Sequence, residues 1–189
     1  MPNWCYNTVD IYGTEDDFKD FYDYFKEIDN DGKEKFVFNF NKVTRMPREL
    51  ENTTSPVRII SQEDYDKVQE LYKEHGGQYN IWDLFNDKKI SEKERDLMFQ
   101  NGITQEISDR LNSKYGYDNW YAWANNNWGT KWNIEDENVN DMDDTSCQLY
   151  FKTAWSPPVA IIDKLKEMFP NLDINGYYLG EGNEYAGVF

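Results

Sequence analysis

The chain has 189 residues, with 36 acidic side chains against 20 basic ones and a formal net charge of -16. That length suits one domain, or one domain with an inserted lobe, and a surface of that sign repels DNA, RNA and anionic membranes, which excludes simple phosphate-backbone binding as a starting expectation. Aromatic residues make up 17% of the chain against a mean hydropathy of -0.93, a combination that excludes a disordered chain and predicts a core of few, large side chains under a heavily charged surface.

Residues 5–12 alternate, with Cys5, Asn7, Val9 and Ile11 on one face and Tyr6, Thr8, Asp10 and Tyr12 on the other, the pattern of a strand with one packed face. Gly13 ends it. Thr14, with Asp17 three residues on, then caps a helix in which Phe18, Phe21, Tyr22, Phe25 and Ile28 recur at helical spacing, expected to run as far as Asn30-Asp31-Gly32. Residues 35–43 read as a second strand, with Phe36, Phe38 and Phe40 on one face, and Pro47 closes this β-α-β unit.

A polar linker, Glu51-Asn52-Thr53-Thr54-Ser55-Pro56, leads into short helices with recognisable starts. Ser61 with Asp64 caps one bearing Tyr65, Val68, Leu71 and Tyr72 and ended by Gly76-Gly77. Ser91 with Glu94 caps another bearing Leu97 and Met98, ended by Asn101-Gly102. Thr104 caps a third bearing Ile107, Leu111 and Tyr115, ended by Gly116. Between the first two, Ile81-Trp82-Asp83-Leu84-Phe85 is a short apolar turn or helix. Residues 52–118 therefore read as a helical insertion, with narrow apolar faces that need something to lie against.

Asp118 opens a further helix carrying Trp120, Trp123 and Ala124, ended by Gly129, and residues 130–134 are expected to extend as a strand. Residues 135–144 hold six acids and no base, which reads as a solvated loop or hairpin tip. Residues 147–155 alternate again. Ser156-Pro157-Pro158 starts a helix with Ile161, Ile162, Leu165, Met168 and Phe169 as its buried stripe, stopped by Pro170. Residues 172–178 form a strand, Gly180-Glu181-Gly182-Asn183 a turn, and residues 184–189 a short partner strand.

The outer pieces spell β-α-β twice, the split-βαβ or ferredoxin-like arrangement. The expected fold is α+β: a four-stranded antiparallel sheet with two helices on one face, in a single domain, residues 1–189. Residues 1–51 are the first half, 52–118 the helical insertion between the halves, and 119–189 the Trp-rich segment, the second half and a C-terminal hairpin. The tryptophan-rich region is expected to cover the other face of the sheet.

Two stretches carry a resemblance. Asn127-Trp128-Gly129-Thr130-Lys131-Trp132 and Thr153-Ala154-Trp155-Ser156-Pro157-Pro158, with Met1-Pro2-Asn3-Trp4-Cys5, Asn7, and the closing Gly176-Tyr177-Tyr178 with Gly187, resemble the YubB-type ferredoxin-like domain family of phage, prophage and plasmid proteins. The resemblance covers both ends of the chain and residues 127–158, and residues 52–118 only loosely. It implies the ferredoxin-like fold and a mobile genetic element as source, and it implies no catalytic residues.

Chemistry-bearing constellations are sparse. His75 is the one histidine, at a predicted helix C-terminus, with neither a second histidine nor a cysteine near it to build a metal site or triad. Cys5 and Cys147 lack metal-ligand spacing and read as small buried residues. Asp141, Asp143 and Asp144 have the density of a Ca²⁺ loop without its glycine and terminal glutamate. No phosphate-cradling glycine loop or dinucleotide fingerprint is present. The expectation is a non-enzyme without cofactor or metal, and the cysteines, together with the lack of a signal peptide or long apolar run, suggest a reducing cytoplasm.

Two binding surfaces remain. Glu15, Asp16, Asp20, Asp23 and Glu27 stud the outer side of the first helix, and Glu63, Asp66 and Glu70 repeat the pattern on the inserted helix. Carboxylates spaced along a rigid helix imitate a phosphate array. The partner implied is a host protein with a basic nucleic-acid-binding surface, such as a restriction or CRISPR nuclease, with no direct nucleic acid and no membrane. The plainer reading of each acidic helix is an ordinary solvated face. The alternative site is an aromatic and lysine pocket from Trp128, Lys131, Trp132, Lys152 and Trp155, with Arg45 as a further cation, where lysines stack on rings or anchor an anion. Its plainer reading is tryptophans filling the structure and lysines paired with nearby acids.

Overall fold

The computed structural model describes residues 3–75, 81–86, 88–140 and 142–189. In chain order its elements are β1 (Trp4–Tyr12), α1 (Glu15–Phe25), β2 (Lys26–Ile28), β3 (Glu34–Phe36), α2 (Phe40–Val43), α3 (Arg48–Glu51), α4 (Gln62–Glu74), α5 (Ile81–Asn86), α6 (Glu92–Gln100), α7 (Gln105–Tyr115), α8 (Trp120–Asn127), β4 (Glu135–Asn140), β5 (Ser146–Ala154), α9 (Val159–Met168), β6 (Asp173–Gly180) and β7 (Ala186–Val188). They fall into two compact units, residues 1–46 with 124–189, and residues 47–123.

The first unit is α+β, built on an antiparallel sheet in the order β4-β5-β1-β6-β7. β1 lies at its centre, with a face to bury that is apolar except for Asn7. Cys5, Val9 and Ile11 sit opposite Thr153, Leu149 and Cys147 of β5, and all six are buried. β6 meets β1 with Gly176 opposite Val9 and Ile174 opposite Ile11. Phe18, Phe21 and Phe25 of α1 and Ile161, Ile162 and Leu165 of α9 supply the helical side of the core. A relay of rings joins helices to sheet: Phe25 lies 5.1 Å from Phe21, 5.4 Å from Phe38 and 6.3 Å from Phe169, and Phe38 lies 5.5 Å from Phe151 of β5. These separations and tilts are those in which aromatic pairs attract.

Five expectations are corrected. Residues 35–43 are not a sheet strand: only Glu34–Phe36 is extended and paired, against Lys26–Ile28 in a separate two-stranded ribbon, and Phe40–Val43 is a helical turn capped by Asn39, whose side chain accepts from Asn41 N. Phe36, Phe38 and Phe40 are still all buried: alternation sends Phe36 and Phe38 to one side, paired or not, and Phe40 is turned inward as the first residue of α2. α1 ends at Phe25, where Lys26 turns to φ -66, ψ 148. Residues 130–134 contain no strand, whereas the acidic Glu135–Asn140 is a strand at the sheet edge. An edge strand tolerates charge because one side and much of its surface stay in water. On the face of the sheet away from the core, Tyr12 and Tyr177 are 52% and 55% exposed, so that face lacks the complete tryptophan cover expected of it.

Asn7 is the polar exception in the central strand. It is 0% exposed, and its Nδ2 donates to Cys5 O at 3.0 Å, to Thr153 Oγ1 at 3.0 Å and, more weakly, to Phe151 O at 3.3 Å. The amide spans β1 and β5, so Asn7→Ala leaves buried acceptors short of a donor. The expected loss is about 2–4 kcal/mol of unfolding free energy, measured as a lower urea midpoint at unchanged slope.

The second unit is helical. Ser61, Ser91 and Thr104 accept from the backbone N–H groups of Asp64, Glu94 and Ile107 at the starts of α4, α6 and α7, and Ser91 with Glu94 completes a reciprocal capping box. Asn101 and Gly116 close α6 and α7 in the left-handed conformation. The predicted stop at Gly76-Gly77 lies outside the described residues. Leu71, Leu84, Ile90 and Met98 form one buried cluster of the unit, flanked by Tyr72 and Phe85.

Candidate functional site

The phase of α1 decides which acids reach solvent. Phe18, Phe21 and Phe25 point inward, so Glu15, Asp16 and Asp20 are exposed on the outer side and form no ion pair among the described residues. Asp17 belongs to the cap. Its N–H donates to Thr14 Oγ1 at 3.2 Å and its carboxylate accepts from the Thr14 hydroxyl at 2.6 Å and Asn171 Nδ2 at 2.9 Å. The Thr14 hydroxyl, then Asn171, holds the Asp17 carboxyl below the ordinary aspartate range.

Two predicted members are neutralised locally. Asp23 pairs with Lys19 and with Lys26, the latter at 2.9 Å, and those hydrogen bonds, Lys19 first, lower its pKa. Glu27 is on β2, not on α1, and pairs with Lys42 at 2.9 Å. The outer face of α1 instead continues into a groove of about 500 Å³ whose lining includes Glu15, Asp16, Asp143 and Asp144, with Lys19 as the one cation among the described residues that line it. Asp143 is held in place by donors: its Oδ1 accepts from Thr145 N at 2.8 Å and from the Ser146 hydroxyl at 3.1 Å. The backbone of Thr145 leads in lowering its pKa. The sequence signal for Asp143 and Asp144 was the acid run itself, and Asp141 lies outside the described residues. On α4, Glu63 and Glu70 are exposed and Asp66 accepts from Gln62 Nε2 at 2.8 Å.

The tryptophan and lysine residues are divided by the fold. Trp128 is 4% exposed, donates its indole N–H to Thr44 O at 2.8 Å and packs edge-on against Phe40 at 5.9 Å. It is therefore part of the core that Phe40 shares with Phe151. Lys131 sits 4.3 Å over the Trp132 ring. Lys152 follows Phe151 on β5 and so projects from the other sheet face, 5.7 Å over Tyr6. Trp155 is 52% exposed with φ of 72°.

What the two motif stretches share is backbone locking. The Ser156 hydroxyl donates to Gly129 O at 2.6 Å and the Thr130 hydroxyl to Ala154 O at 2.9 Å. Gly129 has φ of +81°, and a Cβ there would lie 3.1 Å from Pro157 O and 3.3 Å from Val159 N. Gly129→Ala is expected to cost about 1–3 kcal/mol through the left-handed backbone and that crowding, read as a lower thermal midpoint.

The nucleophile and metal inventory is spare. Cys5 and Cys147 are free and buried. Burial pushes the Cys147 thiol up to about 12 and raises Cys5 as well, so neither is a thiolate at neutral pH. Iodoacetamide at neutral pH should label neither in the native protein and both in denaturant, checked by mass spectrometry. His75 is the C-cap of α4, its N–H donating to Leu71 O. Among the described residues no group of three or more His, Cys, Asp or Glu could hold a metal ion, and no helix is long and apolar enough to cross a membrane.

Comparison with known proteins identifies one region. Residues 127–189 match the family model of a ferredoxin-like domain in Api92-like protein. No curated protein matches the chain. Among solved structures, the crystal structure of protein Api92 from Yersinia pseudotuberculosis aligns over 100% of this chain and 93% of its own, at 11% identity and a TM-score of 0.48.

Proposed function

We propose that this protein is a non-enzymatic acidic binding protein of a mobile genetic element, acting in the cytoplasm of a bacterial host. Its partner is a host defence enzyme of the restriction or CRISPR type, whose basic nucleic-acid-binding cleft it occupies in the manner of a DNA mimic. The observation that carries the reading is the exposed set Glu15, Asp16 and Asp20, without an ion pair among the described residues, of which Glu15 and Asp16 share one groove with Asp143 and Asp144. Fixed carboxylates on a rigid helix meet a cationic cleft without the entropy cost of ordering a flexible chain. Glu63 and Glu70 on α4 supply a second set of the same kind.

In this reading the fold is a ferredoxin-like split βαβ of the YubB type from a phage or plasmid, with the helical residues 52–118 inserted between α1 and β4, within its first half. β4 then fills the edge position beside β5 that the arrangement reserves for the strand completing the first β-α-β. The alternative is a ligand pocket at Trp128, Lys131, Trp132, Lys152 and Trp155. The stacking of Lys131 on Trp132 supports it, and the burial of Trp128 in the core weighs against it.

The test is affinity capture from a bacterial lysate at low and at high salt, followed by elution with double-stranded DNA. A nucleic-acid enzyme retained at low salt and displaced by DNA supports the proposal. Retention that is indifferent to both salt and DNA overturns its electrostatic basis.

A further inference from the structure

The second unit holds a cavity of about 500 Å³ between α4 and α7, within the size range of small-molecule sites. α4 lines it with Tyr65, Gln69 and Tyr72, positions i, i+4 and i+7 of one helical face, and α7 contributes Arg110. Its frame is tied by backbone bonds, Ile60 N to Ile103 O at 3.0 Å and Ile103 N to Arg58 O at 2.9 Å. Asn101 Nδ2 adds a bond to Asn52 O at 2.9 Å.

Three features bear on what fits there. The hydroxyls of Tyr65 and Tyr72 and the carboxamide of Gln69 have no hydrogen-bond partner among the described residues. No fully buried side-chain N or O lacks a partner, so these groups remain open to water or to a ligand at the cavity they line. Burial raises the Tyr72 pKa, which keeps that phenol a neutral donor. The charges of the lining cancel: Glu49 lies 3.5 Å from Arg110, and it also accepts from Lys114 at 2.7 Å and from the Tyr115 hydroxyl at 2.6 Å. The remaining lining is uncharged.

We propose that this cavity binds an uncharged, planar heteroaromatic ring with hydrogen-bonding edges, the chemistry of a nucleobase. Tyrosine faces supply the stacking surface. A glutamine carboxamide offers one donor and one acceptor side by side, the complement of a base edge, and the Tyr72 hydroxyl adds a further contact. The base comes as a free nucleoside, because the net charge of -16 opposes a phosphate-bearing strand. This site is separate from the acidic surface of α1 and does not depend on the function proposed for it.

The experiment titrates the full chain with adenosine, guanosine, cytidine and uridine by calorimetry and ligand-observed NMR. Adenosine monophosphate, a short oligouridylate and toluene serve as contrasts. At least one nucleoside should bind, and Tyr72→Phe and Gln69→Ala should each weaken it by about 3- to 10-fold, the effect of one lost neutral hydrogen bond. Both variants should keep the wild-type circular dichroism spectrum. Any of four results overturns the proposal: no nucleoside binds at millimolar concentration, binding is unchanged in both folded variants, the phosphate-bearing probes bind more tightly than the nucleosides, or toluene alone binds.

Discussion

Phe25→Ala lowers the unfolding free energy by about 3–5 kcal/mol. The side chain is 0% exposed and meets Phe21, Phe36, Phe38 and Phe169 with centroids at 5.1, 5.6, 5.4 and 6.3 Å. Those partners come from α1, from the ribbon after it, from the extended segment before α2 and from the chain following α9. Removing the ring therefore opens a cavity where four stretches converge, and stiff neighbouring rings collapse poorly into it. Urea unfolding checks the value. Phe25→Leu, which keeps most of the volume, should recover much of the loss. A loss near 1 kcal/mol would show that the ring relay does not organise this core.

The second large effect concerns binding. Replacing Glu15, Asp16 and Asp20 together by Gln, Asn and Asn lowers affinity for the captured basic partner at low salt by about 10- to 100-fold, the sum of three modest charge contacts. Asp17 is left intact because it holds the helix cap, and the variant should unfold only slightly more easily, through the weaker acidic complement of the helix N-terminus. A control that neutralises the exposed Glu106, Asp163 and Glu184 changes net charge equally. If the control weakens binding as much as the α1 variant, the effect belongs to net charge and not to this face. Surface plasmon resonance across a salt series separates the two.

Local chemistry was legible in the sequence and non-local pairing was not. The caps at Thr14, Ser61, Ser91 and Thr104 involve residues three apart, so the residue types alone predict them. Alternation located Phe36, Phe38 and Phe40 in the core correctly, yet it says nothing about which backbone groups pair, and residues 37–43 belong to no strand. A run of acids read as a loop because composition reports solvation. Glu135–Asn140 is instead extended at the edge of the sheet, a position that tolerates charge in a strand.

The candidate site divides the same way. The phase of Phe18, Phe21 and Phe25 put Glu15, Asp16 and Asp20 outward, a periodicity argument that needs one helix only. Glu27 was misassigned because its partner Lys42 is distant in sequence and the helix ends before it. The separation of Trp128 from Lys152 depends on which sheet face each occupies, which the motifs that contain them do not encode. Tyr65 and Tyr72 were visible as a stripe on α4, but only packing reveals that both line a cavity.

The most direct test of the central claim is competition. The partner retained by the native protein is titrated with double-stranded DNA, and the fraction still bound is followed at two salt concentrations. Mutually exclusive binding, with the protein's own association weakening steeply as salt rises, is the predicted result. A ternary complex of protein, partner and DNA, or an association constant that does not move with salt, would contradict it.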